Sequence, residues 1–233
     1  AFSFYATKNM TTAEGGMLTM LERRAHDRIK ALRLHGLDKD AWKRYSPGGF
    51  LPYETTEPGW KYNMTDLQAS LGLHQLARLE ANLVVRQRLW ARYDAAFADL
   101  DTVAIPQVSD GGGSRHGRHL YTIRLRFDRL ACDRMQFLQA MGAENIGTGV
   151  HFVPVHLHRW YREHLGTGRG DFPVAEAIGD TTVSLPLSAS MTESDADDVI
   201  AAVRKLSNRW RVASATVRGW HASDGVDDVM EAA

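Results

Sequence analysis

The segment AFSFYATKNMTTAEGGM constrains the fold of this chain more than any other stretch. Its first five residues are mostly apolar and predict the end of a β-strand, and Gly15 to Met20 predict a second short, buried strand. The polar run between them contains a lysine, Lys8. A single lysine is usually a solvated surface residue. At a strand's end, among aromatic and hydroxyl side chains, it is also a candidate nucleophile, because burial favours the neutral amine that attacks a carbonyl.

Composition and charge exclude several classes of protein. Hydrophobic residues make up 44% of the 233 residues, which is enough for a large core and argues against a disordered chain. Lys plus Arg and Asp plus Glu number 28 each, so no basic excess predicts nucleic-acid binding. No apolar run approaches the ~18 residues of a membrane span. The single cysteine, Cys132, fits a reducing compartment, and we predict a cytoplasmic protein without nucleic-acid or membrane partners.

Hydrophobic periodicity and turn residues predict an α/β region followed by a smaller α+β region. Helices are predicted over residues 22–34, 65–79, 80–100 and 134–141, with a last helix capped by Thr192. Strands are predicted over residues 103–106, 119–127 and 150–155. Residues 36–62 form a long loop rich in Gly, Pro and aromatic residues. The predicted domains are 1–80 and 81–206, with a tail of uncertain structure over 207–233.

Six sequence blocks, in order, resemble one protein family. They are FSFYATKNMTTAEGGM, HGLDKDAW, GWKYNMTDLQASLGLHQLARLE, HLYTIRL, NIGTGVHFVPVH and VSLPLSASMTESDADDVI. Together they span about residues 1–206 and resemble the DegT/DnrJ/StrS family of pyridoxal-phosphate (PLP)-dependent nucleotide-sugar aminotransferases. The resemblance implies an aspartate-aminotransferase-like fold (PLP fold type I), with the end of the large α/β domain and a small C-terminal α+β domain.

The resemblance also implies roles for five residues. Lys8 matches the Schiff-base lysine, which holds PLP and then moves a proton between substrate Cα and cofactor C4′. Ser3 matches a serine that binds the cofactor phosphate. Asn63 matches a residue that reaches the cofactor phosphate of the neighbouring subunit, while Lys61 stands where relatives often have Asn, so both are candidates for that position. His151 lies in a block that lines the nucleotide-sugar cleft.

Simpler interpretations also exist for the other residues of these blocks, Asn63 and His151 among them. Asn63 by itself is typical of a turn before a helix, and His151 by itself is typical of a strand histidine with a structural hydrogen bond. His156 and His158 have the spacing of two metal ligands on a strand, but no third ligand suggests itself, so no metal site is predicted. Ala13 replaces a glycine that is common in the TTGEGG form of the family, and we expect this substitution to be tolerated.

The implied function is transfer of an amino group from glutamate to a keto group of a nucleoside-diphosphate sugar by a homodimer with shared active sites. In the family, the residues that bind the pyridine ring precede the lysine, so we expect this chain to be the C-terminal part of a longer protein. Two alternatives stay open. One is a catalytically incomplete fragment that only dimerises or binds a partner. The other is a PLP-dependent sugar dehydratase of the same family, in which histidine typically replaces the lysine.

Overall fold

The computed structural model describes residues 1–37, 54–108 and 113–212. Most of the aromatic-rich loop, Gly111-Gly112 and the tail beyond residue 212 lie outside these ranges. The chain separates into two compact units, Ala1–Glu80 and Ala81–Ala233, and the division falls within one long helix. Each unit contains its own small sheet.

The first unit begins with two short antiparallel strands. The strands are β1 (Phe2–Ser3) and β2 (Gly16–Met17), and two helices follow, α1 (Arg23–Leu32) and the start of α2 (Asp66–Phe97). Phe2 pairs with Met17, and Ser3 pairs with Gly16. The two predicted strands are therefore confirmed, although each is shorter than predicted.

The prediction that the second strand is buried is wrong for the described chain. All four residues of β1 and β2 are exposed, with Phe2 at 55% and Met17 at 49% of full exposure. The physical reason is that two strands of two residues cannot bury their own side chains without further strands or a covering layer. The apolar composition of these residues predicts a covering layer of other residues, and the described chain does not contain one over β1 and β2.

Helix α2 begins where the sequence predicted a capping box. The Thr65 Oγ1 accepts from the Gln68 amide at 3.3 Å, and the Gln68 Oε1 accepts from the Thr65 amide at 2.9 Å. The two predicted helices over 65–79 and 80–100 are one continuous helix ending at Phe97. Glu80, Ala81 and Asn82 include no glycine or proline to break it.

The second unit is a three-stranded antiparallel sheet with helices packed against it. Its strands lie in the order β3 (Val103–Ala104), β4 (Tyr121–Leu125) and β5 (Thr182–Leu185). Its helices after α2 are α3 (Arg134–Ala143), α4 (Arg159–Leu165), α5 (Pro173–Thr181) and α6 (Glu193–Trp210), with a 3-10 turn at Val155–Leu157. Strand β4 alternates buried and half-buried side chains, so Tyr121, Ile123 and Leu125 form its core face.

Aromatic and aliphatic side chains from α2, β4 and α6 form the core of this unit. Tyr121 is fully buried, and its ring lies 4.8 Å from that of Trp90 and 4.9 Å from that of Tyr93. The Tyr121 hydroxyl donates to Asp94 at 2.8 Å, so burial leaves no unpaired polar group there. Burial of this kind stabilises far more than the ion pairs at the rim, which are worth about 0–1 kcal/mol each when exposed.

Helix α6 confirms the predicted cap and extends past the predicted domain end. Thr192 Oγ1 accepts from the Asp195 amide at 3.2 Å, and the apolar face contains Val199, Val203 and Leu206. Ser207 to Trp210 continue the helix, and Ser207 is buried. The first residues assigned to the tail therefore belong to the core of this unit.

The prediction of a strand over 150–155 is wrong. Residues 150–154 have no regular secondary structure, and the 3-10 turn begins at Val155. Only Gly149 pairs with the sheet, through an isolated bridge to Ser184. The sheet contains instead β5, which alternation did not predict because all four of its residues are buried.

Candidate functional site

Lys8 lies in a loop that β1 and β2 close at its base. The Phe4 amide donates to the Gly15 carbonyl at 2.8 Å, and the Thr12 amide donates to the Phe4 carbonyl at 2.9 Å. A turn inside this loop is closed by the Lys8 amide, which donates to the Tyr5 carbonyl at 2.9 Å. The Lys8 side chain is exposed, and its amine makes no hydrogen bond or ion pair with the part of the chain that the structure describes. The loop thus presents an available amine on a fixed backbone.

Residues in the first two turns of helix α2 contact this loop. Thr12 is buried, and its hydroxyl donates to the Glu14 carbonyl at 2.7 Å. The Gln68 side chain donates to the same carbonyl at 3.0 Å, which ties the first turn of α2 to the loop. A Cβ at Gly72 would lie 3.1 Å from the Thr12 methyl carbon, so glycine lets the helix approach closely. These contacts fix the backbone four residues after Lys8.

Ala13 occupies a backbone conformation that favours glycine. Its φ angle is +67°, in the left-handed region, where a Cβ is disfavoured by roughly 1–2 kcal/mol. Thr11 Oγ1 accepts a hydrogen bond from the Ala13 amide at 3.0 Å, which helps to fix the turn with alanine at this position. Alanine at position 13 therefore adopts a strained backbone conformation.

We expect Ala13→Gly to raise the free energy of unfolding by up to about 1 kcal/mol, since relief of left-handed strain exceeds the added chain entropy of glycine. Urea denaturation monitored by tryptophan fluorescence measures the change. Ala77→Gly is the matched control, because Ala77 is an exposed residue inside α2, where glycine costs about 1 kcal/mol. A loss of stability at both positions would show that Ala13 is not strained.

Ser3 lies on β1, at the base of the same loop. Its Oγ accepts a hydrogen bond from the Tyr5 amide at 3.4 Å. That contact uses an acceptor lone pair, so the hydroxyl proton is still available to an anionic oxygen. Ser3 is exposed in the described chain.

Lys61 and Asn63, the two candidates for one role, are in direct contact. The Lys61 amine donates to the Asn63 Oδ1. The segment that contains them is held against the end of α1, where the Tyr62 amide donates to the Arg33 carbonyl at 2.8 Å and the His35 amide donates to the Trp60 carbonyl at 2.9 Å. The pair therefore presents one cation and one amide donor group together, both suited to a phosphate.

His151 lies in the second unit, and the four residues above lie in the first. Its Nδ1 is 2.7 Å from the Ser184 Oγ on β5. This is the structural hydrogen bond that the simpler interpretation of His151 expected, although the residue is not on a strand. The bond leaves Nε2 as the ring nitrogen available to a ligand.

Sequence reasoning missed a buried polar pair near His151. The His156 Nε2 lies 2.9 Å from the Glu176 Oε1, and both side chains are buried. Burial raises the pKa of the Glu176 carboxyl, but hydrogen bonds from His156 and from the amides of Gly170 and Phe172 outweigh it and hold the pKa below its usual range. No spacing rule could have found this pair, because the two residues are twenty positions apart and lie on different elements.

Residues 1–37, 54–108 and 113–212 contain neither a metal-binding cluster nor a membrane-spanning helix. No group of three His, Cys, Asp or Glu side chains there has the arrangement of a metal site. No helix there combines the length and the apolar composition needed to cross a membrane.

Comparison with known proteins identifies the family of this chain. The family model for the DegT/DnrJ/EryC1/StrS aminotransferases matches residues 1–204. The chain belongs to this family. Aminotransferases of the family are PLP-dependent, which agrees with the predicted cofactor class.

Individual relatives agree with the family assignment. The chain is 47% identical over 207 residues to the spore coat polysaccharide biosynthesis protein SpsC of Bacillus subtilis, a match that covers 88% of this chain and 53% of SpsC. The chain spans about half the length of the curated relatives it matches.

Two solved structures support the fold. PseC of Helicobacter pylori, an aminotransferase involved in the biosynthesis of pseudoaminic acid, matches with a TM-score of 0.79 and 25% identity over 90% of this chain and 53% of PseC. The PLP form of Spr1654 from Streptococcus pneumoniae matches with a TM-score of 0.73 and 29% identity over 89% of this chain and 51% of that chain. The predicted aspartate-aminotransferase-like fold is confirmed for the part of it that this chain contains.

Proposed function

We propose that this chain supplies the lysine side of the active site of a PLP-dependent aminotransferase, which moves an amino group from glutamate to a keto group of a nucleoside-diphosphate sugar. The observation that supports this most directly is Lys8, whose amine has no partner among the described residues and lies on a loop fixed by β1, β2 and α2. The proposal takes the nucleotide-sugar and glutamate from the family resemblance. The names of two relatives support the sugar part, since PseC is involved in the biosynthesis of pseudoaminic acid and SpsC is a spore coat polysaccharide biosynthesis protein.

The donor set in the first unit fits the chemical groups of PLP. PLP has an aldehyde, which requires an amine, and a phosphate, which requires hydrogen-bond donors and positive charge. Lys8 offers the amine, Ser3 offers a hydroxyl proton, and Lys61 with Asn63 offers a cation beside an amide. When bound, PLP supplies an electron sink for the electron pair released at the substrate Cα.

Each of these residues has a defined task in the proposed reaction. The Lys8 Nζ would hold the cofactor through its aldehyde, and the same nitrogen would move the proton at the donor Cα. Ser3 would donate to a phosphate oxygen and so would hold one end of the cofactor. The hydrogen-bonded loop keeps Lys8 in place during both steps, so that little reorganisation is needed between them.

We further propose that the protein is a homodimer in which Asn63 or Lys61 contacts the partner subunit's cofactor phosphate. An isologous dimer presents the same surface twice, so each subunit gives this contact and receives it.

A cytoplasmic location also stays a prediction. The proposed domains are the C-terminal part of the large domain over 1–80 and the small domain over 81–206, which helix α6 extends to Trp210.

A second candidate is a fragment that binds a partner without catalysis. The exposure of Phe2, Met17 and Leu18 on and beside β1 and β2 favours it, because exposed apolar residues on a two-stranded sheet need a partner surface. Spectrophotometric titration of the 233-residue chain with PLP separates the two candidates. Tight binding that Lys8→Ala abolishes supports the aminotransferase, and no binding supports the fragment.

Amino transfer itself is tested by the first half-reaction. We expect glutamate to convert the PLP-loaded protein to its pyridoxamine-phosphate form, with one equivalent of 2-oxoglutarate released per bound cofactor. Stopped-flow absorbance follows the cofactor, and a coupled dehydrogenase assay measures 2-oxoglutarate. If glutamate leaves the cofactor spectrum of the loaded protein unchanged, glutamate is not the amino donor.

A further inference from the structure

We propose that His156 and Glu176 are positioning residues for the segment between His151 and His156. In the proposed reaction, this segment faces the nucleotide-sugar. That last statement rests on the proposed function, because the family resemblance places the His151 block along the nucleotide-sugar cleft. The structural part of the proposal rests only on contacts within the second unit.

The first end of the segment is attached to strand β5. His151 Nδ1 lies 2.7 Å from Ser184 Oγ. Just before it, Gly149 and Ser184 exchange two backbone hydrogen bonds, at 3.1 and 2.8 Å. Ser184 lies in the fully buried strand of the core sheet, so the segment begins from a fixed point.

The second end is attached to helix α5 through the buried pair. Glu176 Oε1 lies 2.9 Å from His156 Nε2, and the same carboxylate accepts the Gly170 amide at 2.8 Å and the Phe172 amide at 3.3 Å. An ionised carboxylate can only accept, so His156 must donate through Nε2–H. Thr167 Oγ1 adds a bond to the His156 carbonyl at 2.8 Å. One carboxylate thus joins the 3-10 turn, the 166–172 loop and α5.

Between the two ends, Pro154 packs directly on α5. A Cβ at Gly179 would lie only 2.5 Å from the Pro154 Cδ, so glycine is required for this approach. The neighbouring apolar side chains point away, since Phe152 is 70%, Val153 45% and Val155 57% exposed. A backbone fixed at three points with outward side chains is a preformed contact surface, which lowers the entropic cost of binding a ligand.

Stability alone does not explain a buried His–Glu pair. Removing two polar groups from water offsets most of their attraction, and apolar residues of similar size are often as stabilising. The pair instead fixes the geometry of the segment, because a carboxylate that accepts hydrogen bonds from three donors holds all three donor groups in position. We therefore assign the pair a role in geometry, toward the surface formed by Phe152, Val153 and Val155.

Hydrogen–deuterium exchange on the full chain tests the attachment. In Glu176→Ala we expect exchange over residues 155–158 and 168–172 to accelerate about tenfold or more, since the loss exposes unpaired donors, while β4 stays unchanged. Glu176→Gln keeps the size and one acceptor oxygen, and should accelerate exchange less. Glu163→Ala is the matched control, because that carboxylate pairs with Arg159 at 2.7 Å on the exposed helix α4. Unchanged exchange in both Glu176 variants would overturn the proposal.

The two half-reactions of the PLP-loaded protein test the link to the substrate. In Glu176→Gln we expect the KM for the nucleotide-sugar to rise about tenfold, while the glutamate half-reaction changes less than about twofold. Equal losses in both half-reactions would overturn the positioning role and indicate a general structural one. If the unaltered protein performs neither half-reaction, the proposed function fails, and the exchange measurement alone decides whether the pair positions the segment.

Discussion

Lys8→Ala should remove the covalent link to PLP and with it nearly all amino transfer. The variant is expected to lose the visible absorbance band of the covalently bound cofactor, and its transamination rate should fall by roughly 10³-fold or more. The reason is that Lys8 is the amine that the loop presents without a partner among the described residues, and the same nitrogen would move the proton at Cα. Absorbance spectra and single-turnover rates measure both losses.

Lys30→Ala is the control for this experiment. Lys30 is an exposed lysine of α1 in the same unit, and it has no role in the proposed chemistry. Its spectrum and rate should match those of the unaltered protein, and circular dichroism should show that both variants fold. A cofactor band that survives Lys8→Ala and disappears in another lysine variant would mean that the wrong amine has been assigned.

Mixing two variants that are each impaired should restore activity if the active site is shared between subunits. Lys8→Ala and Asn63→Ala homodimers should each be impaired. A heterodimer should regain one active site of two, because one of its sites then receives an intact Lys8 and the partner's intact Asn63. With equal amounts and free exchange, about half of the dimers are mixed, so about a quarter of the full activity should return.

Subunit exchange must be shown independently, by native mass spectrometry of mass-tagged chains. Lys61→Ala should be mixed with Lys8→Ala in parallel, since Lys61 contacts Asn63 and is the alternative donor to the phosphate. If mixed dimers are present and activity stays at the level of the separate variants in both mixtures, neither residue acts across the interface.

The sequence by itself determined the local elements whose signals are short in range. The Thr65–Gln68 capping box and the Thr192 cap lie where the sequence predicted them, because a cap and its backbone partner are only three residues apart. The β4 strand was found through its alternation. The lysine loop and the family were found from motif blocks, and the family model confirms that assignment over residues 1–204.

Only the tertiary structure decided features that depend on distant residues. Residues 150–155 have the composition of a strand, yet Pro154 packs on Gly179 and the segment lies on α5 instead of pairing along its length. The His156–Glu176 pair joins positions twenty residues apart, and Ser184 takes the hydrogen bond of His151 across thirty-three. Such contacts form where folding brings elements together, and no local period records which partner each polar side chain will meet. The loop that contains Lys8 depends on distant residues in the same way. Its motif is visible in the sequence, whereas its contacts with Gln68 and Gly72 are visible only in the folded chain.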